Sequence, residues 1–295
     1  MTTEMTARRI VHCDVFAPRI GTGNPLAVIL DGQGLNTEQM QAIAHWTNLA
    51  ETTFILPPTR PEADYRVRIF TTQKEIAFAG HPSIGSAHAL IDAGLQPRQA
   101  GLIVQECQAG LLPIRYRPEQ PDNTYSVRVP RSKWLHYADE TDAVFCNALP
   151  AHYWTALKPA LVEGGRRWWL AQLPDERSVR GFQPNRYAIE TLAQATGSLG
   201  LCLFAASSEP GVDLVVRAFP LGVGIDEDPA SGAANAAIAA FLHETGHLSD
   251  IGYSYRVSQG REIGRDAILT LEVDDENQVW VGGDCKTVIS GQLHW

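Results

Sequence analysis

The sequence is short of positive charge. Lys and Arg together number 24 against 33 Asp and Glu, for a formal net charge of −9, and no run of Lys or Arg gathers a basic stripe against that surplus. Polyphosphate and anionic lipid surfaces are repelled by such a chain, so neither nucleic acid nor a membrane is expected as a partner. Long apolar runs are also missing. Nowhere do about eighteen apolar residues follow one another, and the segment from Met1 to Arg9 has no apolar core of signal-peptide length, so the expected location is the cytoplasm. The five cysteines, Cys13, Cys107, Cys146, Cys202 and Cys285, stand far apart with no C-x-x-C pair. That spacing suggests neither a disulfide framework nor a thiolate zinc site, and the thiols are expected to be buried, reduced and inert. Nucleotide signatures are incomplete: Gly21-Thr-Gly23 and Gly222-Val-Gly224 lack the rest of G-x-G-x-x-G, and Asp226, Glu227 and Asp228 after the second would repel a pyrophosphate. No phosphate-binding G-x-x-x-x-G-K-[ST] and no nucleophile elbow G-x-S-x-G occurs.

What is present is globular: 44% hydrophobic and 19% charged residues over 295 positions, enough for two domains with cores of their own. Strands are expected at Val11–Phe16 and Leu26–Leu30, then a helix capped by Asn36 or Thr37 and ending near Asn48. Further strands are expected at Thr53–Leu56, Tyr65–Phe70 and Ile76–Phe78, where Tyr65-Arg-Val-Arg-Ile-Phe70 alternates with the period of a half-buried strand. Gly80 to Gly94 forms a small-residue helix with a proline in its first turn, and so little bulk requires it to lie inside a sheet. Strands at Leu102–Gln105, Leu111–Tyr116 and Tyr125–Val129 follow, with a loop at Pro118–Asn123. The proline and charge cluster from Pro130 to Asp142 marks a domain boundary. Beyond it come strand-like Trp168–Ala171, a helix from about Pro184 to Thr196, strands Leu201–Ala205 and Leu214–Phe219, and a second small-residue helix within Asp228–Leu242.

The order of elements recurs. Arg68-Ile-Phe70 precedes the first small-residue helix much as Arg217-Ala-Phe219 precedes the second, which points to an ancient duplication, although alanine-rich helices can match by chance. Helix N-termini expose unpaired amides and the positive end of the helix dipole. Two such ends, at Gly80-His81 and at Ser231-Gly232, would hold a carboxylate or developing enolate in one active site between the halves. Glu51, between Asn48-Leu-Ala and Thr-Thr-Phe-Ile, sits in an apolar setting that favours a proton-transfer role, although a carboxylate after a helix is more commonly a solvated cap. His243-Glu-Thr-Gly-His247 satisfies the zinc-protease pattern H-E-x-x-H, but Gly246 should stop the helix and carry His247 off the face of His243. Arg166-Arg-Trp-Trp169 is expected to be a strand with one buried tryptophan.

Gly23-Asn-Pro-Leu-Ala-Val28, Asn48-Leu-Ala-Glu-Thr-Thr-Phe54, Ala79-Gly-His-Pro82 and Glu227-Asp-Pro-Ala-Ser-Gly232 occur in that order, and together they resemble the PhzF-like phenazine-biosynthesis family. The resemblance implies a diaminopimelate epimerase-like α+β fold. Two pseudo-symmetric halves, each a mostly antiparallel curved sheet or barrel around a central helix, would span residues 1–130, completed by a C-terminal strand at about 284–295, and 131–283. It further implies that Glu51 is the acid-base residue, that His81 contacts the substrate, that Asp228 anchors its amino or hydroxyl group, and that amides near Gly80 and Gly232, with Ser231 and Ala233 beside them, bind its carboxylate. The family pattern Asp-Pro-Ala-Thr-Gly-Ser departs here, since Ser231 replaces the threonine and Ala233 stands where a serine hydroxyl would be. The two cysteines of the epimerase relatives are replaced by Ala79 and Ser231, which argues against a two-thiol racemase. The expectation is a cofactor-independent isomerase, without metal, acting on a small carboxylated cyclic metabolite as a homodimer. The alternative is a non-catalytic small-molecule-binding or dimerisation protein on the same fold, a reading that Ala233 feeds.

Overall fold

The computed structural model of the chain describes residues 6–117 and 124–295, so the loop read at 118–123 and the start of the N-terminal segment lie outside the described residues. The first part of the chain forms β1 (Ala7–Val15), β2 (Asn24–Ile29), α1 (Thr37–Thr47), β3 (Thr52–Leu56), β4 (Tyr65–Phe70), β5 (Glu75–Ile76), α2 (Gly80–Asp92), β6 (Leu102–Cys107), β7 (Gly110–Tyr116) and β8 (Thr124–Arg128). The rest forms β9 (Lys133–Tyr137), α3 (Ala143–Ala148), β10 (Ala160–Glu163), β11 (Arg167–Gln172), α4 (Glu176–Gly181), α5 (Arg186–Thr196), β12 (Leu201–Ala206), β13 (Leu214–Phe219), α6 (Gly232–Glu244), β14 (Ser254–Gln259), β15 (Ala267–Val273) and β16 (Val279–His294). Two compact units result, Met1–Arg128 with Gly282–Trp295, and Val129–Val281. Among the described residues no helix is long and apolar enough to cross a membrane.

In the first unit the strands run β1-β2-β3-β4-β6-β7-β8-β16, and β16 pairs back onto β1, so the sheet closes into a barrel with no free edge along this path. Two demands set its interior. The inward faces of the strands are apolar, and α2 fills the space they enclose, packing on β1, β2, β3, β7 and β8. Every residue from Gly80 to Ala89 is buried, which is why the helix is built of Gly, Ala and Ser. Gly85 marks the tightest approach: a Cβ there would fall 2.5 Å from Leu26 Cδ2 and 2.9 Å from Val15 Cγ2. Outside, α1 covers the sheet with Met40, Ile43 and Ala44 against Ile29, Phe54 and Phe70. Asn36 and Gln39 close its first turn reciprocally, and Asn48 ends it in the left-handed conformation at φ 54°.

The second unit repeats these pairings in the same order. A parallel crossover β11–β12 through α4 and α5 matches β2–β3 through α1, and a second crossover β13–β14 around α6 matches β4–β6 around α2. Antiparallel steps β12–β13 and β14–β15 match β3–β4 and β6–β7. Its curved sheet wraps α6, which packs on β9, β10, β11 and β15, while α3, α4 and α5 cover the other face over Phe145, Trp169, Val179, Ile189 and Phe219. The architecture is α+β, duplicated.

Several expectations need correction. The units divide at Arg128 and Val129, just before the cluster read as the boundary at Pro130–Asp142, and that cluster itself carries strand β9. Both Trp168 and Trp169 are buried, at 1% and 2% exposure, because sheet faces alternate and helices cover each face. Of the strand read at Ile76–Phe78 only Ile76 pairs with β4, and its neighbour in the ladder is Glu75, before the range read. Cys107 and Cys146 are partly exposed, so burial holds for Cys13, Cys202 and Cys285 alone. The reading that Gly246 stops the helix holds: α6 ends at Glu244, and Gly246 at φ 78° turns the chain before His247, whose Nδ1 lies 3.2 Å from Thr245 Oγ1.

Candidate active site

Glu51 lies in the short turn between the αL cap of α1 and the start of β3. That turn is clasped by Thr47 and Thr52, whose hydroxyls meet at 2.8 Å. Glu51 Oε2 stands 3.2 Å from Nδ1 of His81, with 18% of the Glu51 side chain and 6% of the His81 side chain exposed. Burial drives the His81 imidazole down to about 3, against a smaller upward pull from the Pro25 backbone. The ring is therefore neutral near pH 7, and the contact with the carboxylate is not an ion pair between full charges. His81 Nε2 is buried without a hydrogen-bond partner of good geometry among the described residues.

His81 occupies the first turn of α2, whose N-cap residue is Ala79. No side chain caps this end, and Pro82 has no N–H, so the amides of Gly80 and His81 are left for a ligand or solvent. The helix is held in place from two sides. Ser86 Oγ donates to Thr53 Oγ1 at 2.9 Å, tying it to β3 one residue from the Glu51 turn. Gln105 Nε2 donates to Ser83 Oγ at 3.0 Å while Tyr65 donates to Gln105 Oε1 at 2.8 Å. Sequence reasoning passed over Thr53, Ser83, Ser86, Tyr65 and Gln105. The available signal was a glutamine inside the apolar strand Leu-Ile-Val-Gln-Glu-Cys, which must find partners when buried.

In the second unit, Asp228, Ser231, Gly232 and Ala233 lie together at the start of α6. Here the helix end is closed by protein: Ser231 Oγ accepts from Ala234 N at 3.3 Å, and Ser231 N donates to Gln259 Oε1 at 3.2 Å. Asn235 Nδ2 donates to the same Gln259 oxygen at 2.9 Å, and Gln259 Nε2 donates to Asp228 O at 2.8 Å. Gln259 on β14 thus matches Gln105 on β6, each anchoring the helix of its unit. Asp228 Oδ1 accepts from Ala230 N at 3.2 Å. The residue before it, Glu227, forms a two-pronged buried pair with Arg217, at 2.9 and 2.8 Å, and Arg217 Nη1 also donates to Phe182 O at 2.6 Å. These bonds hold the Asp228 loop against the strand that precedes it. Ser231 is therefore a helix cap as well as a candidate ligand contact, and Ala233 is half-buried with only a methyl group to offer.

Comparison with known proteins follows the same pattern. The family model described as phenazine biosynthesis-like protein matches residues 13–291. Antisense-enhancing sequence 1 of Schizosaccharomyces pombe is 34% identical over 296 residues, covering 98% of this chain and 99% of that protein. Trans-2,3-dihydro-3-hydroxyanthranilate isomerase of Pseudomonas aeruginosa is 30% identical over 291 residues, covering 97% and 99%. A crystal structure of a Bacillus anthracis phenazine biosynthesis protein of the PhzF family, 23% identical, shares the fold at a TM-score of 0.84 over 99% of this chain and 100% of that one. With a family match over nearly its whole length and full-length relatives that are isomerases, the chain belongs to the phenazine biosynthesis-like family and is an enzyme of the isomerase class.

Proposed function

We propose that the enzyme moves a proton, and with it a double bond, within a small carboxylated cyclic metabolite that bears an amino or hydroxyl group. Glu51 is the single general acid and base, and no organic cofactor or catalytic metal takes part. The observation that carries this reading is the 3.2 Å contact between Glu51 Oε2 and Nδ1 of a neutral, buried His81. A neutral imidazole beside the carboxylate helps to orient it without the strong pull of an imidazolium. In the forward step Glu51 removes a proton from a saturated ring carbon, and the electron pair spreads over the adjoining double bond. The same group then returns the proton to the far end of that system, on the same face. Substrate and product are isomers, and nothing else is consumed.

Developing negative charge is matched by the free amides of Gly80 and His81 at the start of α2. Asp228 is assigned to the amino or hydroxyl group of the substrate, and the backbone around Ser231, Gly232 and Ala233 to its carboxylate. A second base is hard to find among these residues: Ala79 cannot ionise, and the Ser231 hydroxyl is a weak acid engaged as a helix cap. The substrate class follows the Pseudomonas relatives, whose named substrate is a hydroxylated, amino-bearing cyclic acid. Ala233 withholds a hydroxyl donor worth about 1.5–3 kcal/mol, which shifts the preferred ligand away from one that needs it.

Screening cyclic amino and hydroxy acids for proton exchange in heavy water identifies the substrate. Glu51→Gln should then abolish deuterium incorporation while leaving substrate affinity nearly intact; retained exchange would overturn the assignment. The same family likeness underlies the proposal of a homodimer, which sedimentation of the purified protein would test.

A further inference from the structure

Apart from the Glu51 turn, the first unit gathers three soft donors from distant parts of the chain. Cys13 on β1, His88 on α2 and Cys285 on β16 each bring one ligand atom within 4.8 Å of the others, and their exposures are 1%, 1% and 0%. Strand register does the bringing together. The β1–β16 ladder opposes Val15 to Cys285 and Cys13 to Thr287, so the two cysteines are diagonal neighbours on one face. That face looks at α2, since Cys13 Sγ lies 3.7 Å from Gly85 O, and His88 projects from the same helix one turn further on.

The imidazole is already oriented as a ligand would be. His88 Nε2 lies 3.0 Å from Thr287 Oγ1 and 3.2 Å from Asp92 Oδ2, and Thr287 Oγ1 donates to Asp92 Oδ2 at 2.8 Å. This carboxylate and hydroxyl shell takes the Nε2 proton and leaves Nδ1 as a lone pair. His88 Nδ1 is buried with no hydrogen-bond partner among the described residues. A purely apolar core has no use for an oriented imidazole with a buried nitrogen left unbonded.

We infer that Cys13, His88 through Nδ1, and Cys285 bind a thiophilic d10 metal ion, zinc or cuprous copper, inside the first unit. Two thiolates and one imidazole are the donor set such ions select. Metal–sulfur and metal–nitrogen bonds of about 2.3 and 2.0 Å set the donors about 3.5–4 Å apart, so binding draws them inward by up to about 1 Å from their present bound. Coordination releases the two thiol protons. Their charge cancels that of zinc, so that ion would be held without net charge in the core. The site ties both chain ends of the unit to its central helix, a structural role separate from the Glu51 chemistry.

The full-length protein should be refolded with Zn(II), or anaerobically with Cu(I), desalted, and its metal quantified alongside its melting temperature. One ion per chain and a raised melting temperature are expected, and competition between the two metals tells which is preferred. Co(II) serves as the optical probe, giving a thiolate-to-cobalt charge-transfer band. Cys13→Ala, Cys285→Ala and His88→Gln should each lose the ion, while Cys202→Ala, buried in the other unit, should keep it. Folded wild-type protein that takes up no metal under either regime, or that instead forms a Cys13–Cys285 disulfide by mass, overturns the site whatever the variants do. Retention of the full equivalent in folded His88→Gln overturns it as well.

Discussion

At the scale of single residues, burial decides what His81 can be. Its folded pKa is held at about 3, below the ordinary 6.5, so the unfolded chain takes up the proton first as pH falls. The stabilisation is complete above pH 6.5 and is lost progressively between 6.5 and 3. Wild type should lose about 2 kcal/mol more than His81→Asn between neutral pH and pH 5, measured by denaturant unfolding. Parallel curves for the two proteins would mean that His81 is charged in the fold. A second residue-scale expectation concerns Ala233. Ala233→Ser restores the hydroxyl of the family pattern, and kcat/KM for a hydroxy- or amino-substituted cyclic acid resembling the Pseudomonas substrate should rise about ten-fold or more, with little change in melting temperature. An unchanged or lower value would remove Ala233 from the specificity of the site.

Elements matter here chiefly through how the two inner helices begin. Helix α6 closes its own first turn with Ser231, whereas α2 has Ala79 as its N-cap residue and, among the described residues, leaves its first amides open. An uncapped end is ordinarily a liability of about 1 kcal/mol, so its retention at the helix that carries His81 is consistent with a ligand completing it. The body of α2 is constrained more tightly than its end. Gly85→Ala would press a methyl group into Leu26 and Val15, at a cost of about 1–3 kcal/mol in unfolding free energy, and calorimetry should show a matching drop in melting temperature. A neutral effect would mean that the barrel wall relaxes around the helix. The boundaries of α1 were legible because Asn36, Gln39 and Asn48 act locally. Strands β14 and β15 and helices α3 and α4 were not read, since their short segments take their identity from the neighbours they pair with or cover.

On the scale of the whole molecule, the duplication extends from topology to side chains. Arg68 pairs with Glu75 through two bonds of 2.8 and 2.6 Å and lies over Phe70 at 5.1 Å; Arg217 pairs with Glu227 at 2.9 and 2.8 Å and lies over Phe219 at 5.0 Å. The same clamp joins strand to helix approach in both units. Their settings differ, with side-chain exposures of 24% and 16% in the first pair but 6% and 7% in the second. Arg217→Ala leaves a buried carboxylate uncompensated and should destabilise by about 3–5 kcal/mol, whereas Arg68→Ala, whose partner remains wetted, should cost about 1 kcal/mol. Equal losses in urea unfolding would contradict this difference in burial.

The sequence by itself determined the recurrence of strand and small-residue helix and, through its spaced motifs, the family and the α+β class that this resemblance implies, because hydrophobic period, caps and motifs are local and read along the chain. It also singled out Glu51 and His81 separately. Only the tertiary structure decided that these two meet, that the imidazole is neutral, and that Gln105 and Gln259 anchor the inner helices. The same holds for the cysteines: their spacing denied any cluster, yet the closing pair of strands β1 and β16 sets Cys13 beside Cys285 under His88. Contacts between residues far apart in sequence follow from strand register and barrel closure, and neither is written in any single segment.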